Sequence, residues 1–318
     1  MMKPREMSEA LKAQRFGVEI EMYGITRRNA ARYATEMLGG DYRYTSSYDS
    51  WVVYAPDGRE WKFSRDASIV ARTDEEKCEL VTPILNYGDI ETLCNLIRML
   101  RSHGAKSDPT HMCGVHIHVD GAGHTAASIR NLVRLVYSRE DEIAQGINLN
   151  RGRECTYCEK VDVDFMNRID KPKKLSMDYL EQEWYRGYSG NPRQHYHKSR
   201  YHMLNLHSFF NGHGTVEFRC FQFQDPEMEN GEVKRHNGLH AGQLKAMIQM
   251  ALAINNAAKQ ARYVRAKKSG KTNAEGPFRS WLYRIGFVGE EFATARKYWV
   301  RETERTMFEQ DARYANAS

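Results

Sequence analysis

No stretch of this 318-residue chain approaches the roughly 20 consecutive apolar residues needed to cross a bilayer. The opening segment, "MMKPREMSEALKAQRF", is charged and lacks the apolar core of a secretory signal, so the reading expects a cytoplasmic protein with no membrane partner. Cysteine is sparse. Six residues make no disulfide scaffold, and Cys78, Cys94, Cys113 and Cys220 sit in apolar patterns that read as buried thiols. There is no repeat of solenoid length. Neither charge sign dominates: 47 Lys plus Arg against 41 Asp plus Glu gives +6 and a pI near 8.9. That balance favours weak attraction to anionic ligands without identifying a nucleic-acid binder. With 41% apolar and 11% aromatic residues the composition is that of a folded protein.

Strand and helix periods alternate along the chain. "RFGVEIEMYG" (15–24) sets Phe16, Val18, Ile20 and Met22 against Gly17, Glu19 and Glu21, which predicts a half-buried strand. Residues 26–38 read as a helix capped by Thr26, and 44–69 as a hairpin turning at Pro56-Asp57-Gly58. A short strand follows over 76–85, then helices over 89–103 and 125–144 flanking a strand at 113–121. Residues 150–198 show no clear period and read as a long loop, a lid or a binding segment. Residues 200–210 and 215–223 give the best hairpin signal, joined by "NGHG". From 239 the pattern turns helical, over 239–266, 277–286 and 290–308, with a basic linker between the first two.

Side chains at i and i+2 of a strand share a face. On that rule Glu19 with Glu21, His116 with His118, and Glu217 with Arg219 each lie opposite an apolar row. A single charged pair on a sheet face is usually just solvated. Three such pairs on neighbouring strands would line one concave surface, where gathered carboxylates repel unless cations sit among them. Oxygen-rich sets with an imidazole suit Mg²⁺ or Mn²⁺, and an Arg beside a ligand Glu suits a phosphate or a carboxylate. No nucleophilic Ser or Cys stands out. The residues by themselves reach metal-assisted chemistry on a phosphate or a carbonyl and stop there.

Six short motifs then occur in a fixed order: "FGVEIE" (16–21), "DAS" (66–68), "CELVTP" (78–83), "CGVHIHVD" (113–120), "LNL" (204–206) and "TVEFRCF" (215–221). Together they resemble the amidoligase family, carboxylate–amine ligases related to glutamine synthetase and glutamate–cysteine ligase. The resemblance implies an α+β fold, a curved antiparallel sheet forming a glutamine synthetase-like half-barrel. Helices would cover its convex face, and a helical C-terminal part would follow. It implies one domain over 1–318, with a catalytic core at about 15–250 and an extension at about 251–318. The implied reaction is ATP-dependent: a carboxylate takes the γ-phosphate, and an amine displaces phosphate from the acyl phosphate. By position, Glu19, Glu21, Glu79, His116 and Glu217 would hold Mg²⁺ or Mn²⁺. His118 would meet the nucleotide phosphates and Arg219 the γ-phosphate or the substrate carboxylate, with Glu217, His118 and Arg219 in the catalytic set. Asp66 and Asn205 would lie near substrates, which are small-molecule or peptide acids and amines. After Arg219 the chain reads "CFQFQDPEMENG", which departs from the Phe-Asn-Gly-Thr turn of the family.

Two other classes compete. A metal-dependent hydrolase could use the same face to activate water, and a non-catalytic nucleic-acid-binding or scaffold protein could retain the fold. Plainer readings take the remaining features. Cys155 and Cys158 are expected to be loop cysteines rather than half of a zinc site. Lys171, Lys173 and Lys174 read as a solvated loop, and the basic run from Lys259 to Lys271 as a helix end with a tail. His124, His236 and His240 read as caps or packing, Leu244, Met247 and Met250 as core, and Glu75 and Glu76 as solvent-facing.

Overall fold

Eight strands hydrogen-bond in the order β2-β3-β4-β5-β1-β6-β8-β7, non-sequential because β1 lies inside the sheet rather than at its edge. The strands are β1 (Phe16–Met22), β2 (Asp41–Thr45), β3 (Ser50–Tyr54), β4 (Glu60–Ser64), β5 (Cys78–Val81), β6 (Val115–Asp120), β7 (Leu204–Asn205) and β8 (Thr215–Phe221). A separate ribbon pairs β9 (Glu227–Glu229) with β10 (Glu232–Arg235). This computed structural model describes residues 2–224, 227–230, 232–235, 238–268 and 275–300. His236, Lys271 and the far part of the helix expected at 290–308 lie outside those residues. The class is α+β with an open antiparallel sheet.

Two compact units divide the chain, one built from residues 15–117 and 221–245, the other from 1–14, 118–220 and 246–318. In the first, α2 (Arg27–Leu38) and α3 (Ile90–Ser102) pack together, and α2 covers β3 and β4. Thr26 caps α2 by accepting from the Asn29 N–H, and Ala30, Ala31 and Ala34 give it a flat buried stripe. Within the sheet, Val18 and Ile20 of β1, Val53 of β3, Phe63 of β4 and Leu80 of β5 are all buried. Fully burying such side chains stabilises by roughly 1.5–3 kcal/mol each. The hairpin at Pro56-Asp57-Gly58 forms as expected, with Trp51 opposite Phe63 and Val53 opposite Trp61. It gains a third strand, β2, whose exposed residues "DYRYT" carry too little apolar pattern to announce it.

The second unit holds α1 (Pro4–Lys12), α4 (Ala126–Gly146), α5 (Arg151–Tyr157), α6 (Val163–Asp170), α7 (Met177–Tyr185), α8 (His207–Phe210), most of α9 (Ala241–Gln260) and α10 (Glu275–Arg284). A further helix enters at residue 293. The expectation of an unstructured 150–198 segment is corrected: α5, α6 and α7 occupy most of it. Each opens on a side-chain cap, Asn150, Asp162 or Ser176, and each spans only 7–9 residues. Helices this short show barely two turns of period, which is too little to register as a pattern. Phe165, Met166 and Ile169 of α6 and Leu180 and Trp184 of α7 bury the apolar faces.

The 200–223 hairpin is also shorter than expected. Asn205 Oδ1 accepts from the His207 N–H at 2.7 Å and bends the chain into α8, leaving β7 two residues long. Helix α9 stops at Gln260 rather than 266. Lys259, in the last turn of α9, donates to the Asp120 and Ala122 carbonyls at 2.9 and 2.8 Å. Glu76 is buried and pairs with Arg72, whereas Glu75 is exposed. The four cysteines expected inside are buried, as are Leu244, Met247 and Met250. Cys158 is buried with its thiol on the Arg153 carbonyl, while Cys155 is exposed.

Candidate active site

In the first unit, register places the acidic residues. Glu21 of β1 stands opposite Glu79 of β5, and Glu79 stands opposite Ser64 of β4, so one row crosses three strands. The Ser64 hydroxyl donates to Glu79 Oε2 at 3.4 Å. The Gly114 N–H at the head of β6 donates to Glu21 Oε2 at 2.6 Å, and the Glu21 N–H donates back to the Gly114 carbonyl. His116, buried at 4% exposure, sets Nδ1 3.0 Å from Glu19 Oε2 and Nε2 3.7 Å from Glu21 Oε1.

Two overlapping groups result: Glu19, Glu79 and His116, and Glu21, Asp66 and Glu79. Within each group one ligand atom per residue lies within 4.8 Å of the others. Asp66 reaches the row from the loop after β4, where its Oδ1 accepts from the Ser68 N–H and hydroxyl at 2.7 and 2.6 Å. Four carboxylates around one imidazole, on a part-buried face, form an oxygen-rich set suited to a hard divalent cation.

The second unit holds the other half of the expected residues. Thr215, Glu217 and Arg219 alternate along β8 and share a face. Asn205 of β7 lies opposite Glu217 and donates Nδ2–H to Glu217 Oε2 at 2.6 Å. Arg219 Nη1 donates to Glu217 Oε1 at 2.5 Å, and its guanidinium lies 5.9 Å from the Tyr201 ring centre. His118 Nε2 is 3.9 Å from Glu217 Oε1. Its Nδ1 meets the Thr215 hydroxyl at 3.2 Å, which in turn meets Ser208 at 2.8 Å. Glu217, Arg219 and Asn205 are exposed by only 2%, 5% and 2%. These are not solvated residues. A buried carboxylate and guanidinium are tolerable only because each is paired and hydrogen-bonded.

Gly121, just past β6, lets this set close. A Cβ there would lie 2.4 Å from the Gly214 carbonyl oxygen and 2.7 Å from the Phe209 ring, and the Gly121 N–H bonds that same carbonyl at 3.0 Å. Thr215, Ser208 and Ser64 support these sets and were absent from the sequence reading. Thr215 alone was findable there, by extending the alternation of Glu217 and Arg219 one step back.

A family model described as "Putative amidoligase enzyme" matches residues 12–255, a span that includes all six motifs and every residue of both sets. The chain belongs to the amidoligase family. That makes it a member of a ligase family. Among solved structures, a bifunctional glutathione synthetase from Pasteurella multocida is similar at 11% identity and a TM-score of 0.44. The alignment covers 97% of this chain and 52% of that one, so the chain spans about half the length of that structure. A likeness at that level carries no argument about activity. No curated protein matches the sequence. Among the described residues no helix is long and apolar enough to cross a membrane.

Proposed function

We propose that this amidoligase joins a carboxylate to an amine at the expense of ATP, through an acyl phosphate. The observation that carries the reading is the pair of overlapping groups formed by Glu19, Glu21, Asp66, Glu79 and His116, in a chain of this family. Attack of a carboxylate on a phosphate is slow in water because like charges repel. Bound Mg²⁺ or Mn²⁺ would neutralise that charge and hold the reacting oxygens in line. Glu19, Glu21, Glu79 and His116 are the proposed ligands, with Glu217 a further one.

Arg219, whose planar guanidinium matches phosphate and carboxylate oxygens, would bind the transferred phosphoryl group, and His118 would hold a nucleotide phosphate oxygen. Asn205 would keep Glu217 aimed, which its hydrogen bond to Oε2 supports. Asp66 would lie near the acid substrate. The same reading takes the whole chain as one catalytic domain with a glutamine synthetase-like curved sheet and helices on its convex side, working in the cytoplasm on small-molecule or peptide substrates.

The test is phosphate release by the purified chain with ATP, Mg²⁺ and the twenty amino acids. Release should need both an acid and an amine, and Glu79→Gln and Arg219→Lys should abolish it while leaving the fold intact. ATP-independent turnover of an amide or ester, with metal alone, would replace this reading with a hydrolase.

A further inference from the structure

One buried network in the first unit takes no part in the sets above. Asp108, exposed by only 2%, caps the short turn Pro109–His111 and gathers three side chains. Tyr23 Oη donates to Asp108 Oδ2 at 2.6 Å. Thr110 Oγ1 donates to Asp108 Oδ1 at 2.5 Å, and His111 Nδ1 meets that same oxygen at 2.9 Å. Burial alone would push the Asp108 carboxyl up; the hydrogen bonds from Thr110, Tyr23 and His111 more than offset this and hold it below its ordinary range. The carboxylate can only accept, so Nδ1 of His111 is the nitrogen that donates to it, and in the neutral ring the lone pair sits on Nε2. Nε2 has no partner among the described residues, and the side chain is 35% exposed.

The arrangement is that of an oriented base: a buried acid orients a part-exposed imidazole through one ring nitrogen and leaves the other available. The ring is further clamped by Tyr23, stacked on it at 3.8 Å and 15°. Immediately after, Met112 takes a left-handed φ of 60°, turning the chain into β6. A non-glycine residue held there is an uncommon conformation that cores do not need.

Two links tie this base to the carboxylate row of the same unit. Tyr23 continues the alternation Glu19, Glu21, Tyr23, its backbone bonded both ways to Lys106 at 2.8 Å. His111 therefore sits against the next position of the row, about 7 Å beyond Glu21 along the strand. From the other side, the loop that carries Asp66 reaches His111 directly, with the Val70 N–H on the His111 carbonyl at 3.0 Å and Ile69 packed on Tyr23 and Cys113.

We propose that His111 is the general base for the amine substrate, oriented by Asp108 as a positioning residue; the proposal rests on the ligase reading above. Amines near neutral pH are mostly ammonium ions, which have no lone pair to attack with. His111 Nε2 takes one proton from the ammonium. The freed nitrogen pair forms the C–N bond to the acyl carbon, the carbon–oxygen bond to phosphate breaks, and phosphate leaves with that electron pair. The second nitrogen proton departs with phosphate as the amide forms.

The experiment compares two nucleophiles on the full chain with Mg²⁺, ATP and the twenty amino acids. Methylamine is protonated at pH 7 and needs a base; hydroxylamine is largely neutral there and does not. His111→Asn keeps a donor for Asp108 Oδ1 but removes Nε2. It should cut methylamide formation about 10²-fold or more, while hydroxamate formation stays within about threefold, as expected if only the proton-removal step needs the base. Asp108→Asn should show the same split, weaker, because the imidazole remains. Equal loss with both nucleophiles would make the network structural and overturn the proposal, as would no loss with either. Absence of ATP-dependent hydroxamate and phosphate from the wild type would overturn the ligase reading itself. That outcome is distinct from a wild type that turns over while the variants lose both activities equally or neither.

Discussion

The acidic row makes a quantitative prediction. Glu21, Asp66 and Glu79 bring ligand oxygens within 4.8 Å of one another. Two unit charges at that distance repel by about 3.5 kcal/mol at an effective dielectric constant of 20, before solvent and neighbouring donors reduce it. Three pairs then oppose folding together, and a divalent cation among them reverses the sign of the interaction. Saturating Mn²⁺ or Mg²⁺ at a hundred times its dissociation constant should add about 2.7 kcal/mol. For a chain of this size that raises the melting temperature by about 4 °C. Glu79→Gln removes the carboxylate common to both groups while an amide oxygen can still accept from Ser64. It should therefore lose most of the cation-dependent shift without losing stability in chelator. The assay is differential scanning fluorimetry with and without EDTA, Mg²⁺ and Mn²⁺. An equal cation shift in the variant and the wild type would refute the reasoning, because it would locate the bound cation elsewhere.

Three further outcomes follow from the second unit. His124 hydrogen-bonds Ser128 and Asn255, and burial pushes its pKa down from 6.5 to about 4. The unfolded chain therefore takes up the proton first: stability is complete above about pH 6.5 and falls as pH drops toward 4, by up to about 3 kcal/mol. Urea unfolding at pH 7 and pH 5 should show that slope in the wild type and lose much of it in His124→Gln. Asn205→Ala strips a hydrogen bond from the buried Glu217 carboxylate and should cost about 1–3 kcal/mol in the same assay, with Asn205→Asp costing more because it adds a second buried carboxylate. Gly121→Ala forces a Cβ onto the Gly214 carbonyl and should cost about 1–3 kcal/mol by overpacking, read as a lowered melting temperature; an unchanged value would mean that the two loops part freely.

Period and order in the sequence settled more of this protein than composition did. The alternation in 15–24, 113–121 and 215–223 fixed three strands and the faces of Glu19, Glu21, His116, His118, Glu217 and Arg219. Side-chain direction in a strand depends only on counting, so it survives without knowledge of neighbours. The ordered motifs gave the family for the same reason: each is local. What the tertiary structure decided is everything that depends on pairing. The register of Glu21 against Glu79 and of Glu79 against Ser64, and the arrival of Asp66 from a loop, come from strands distant in sequence. So does the burial of Glu217, Arg219 and Asn205, which alternation alone left looking solvated. The helices of 150–198 were hidden because their caps and two-turn faces become favourable only when packed, and packing is a property of the folded chain.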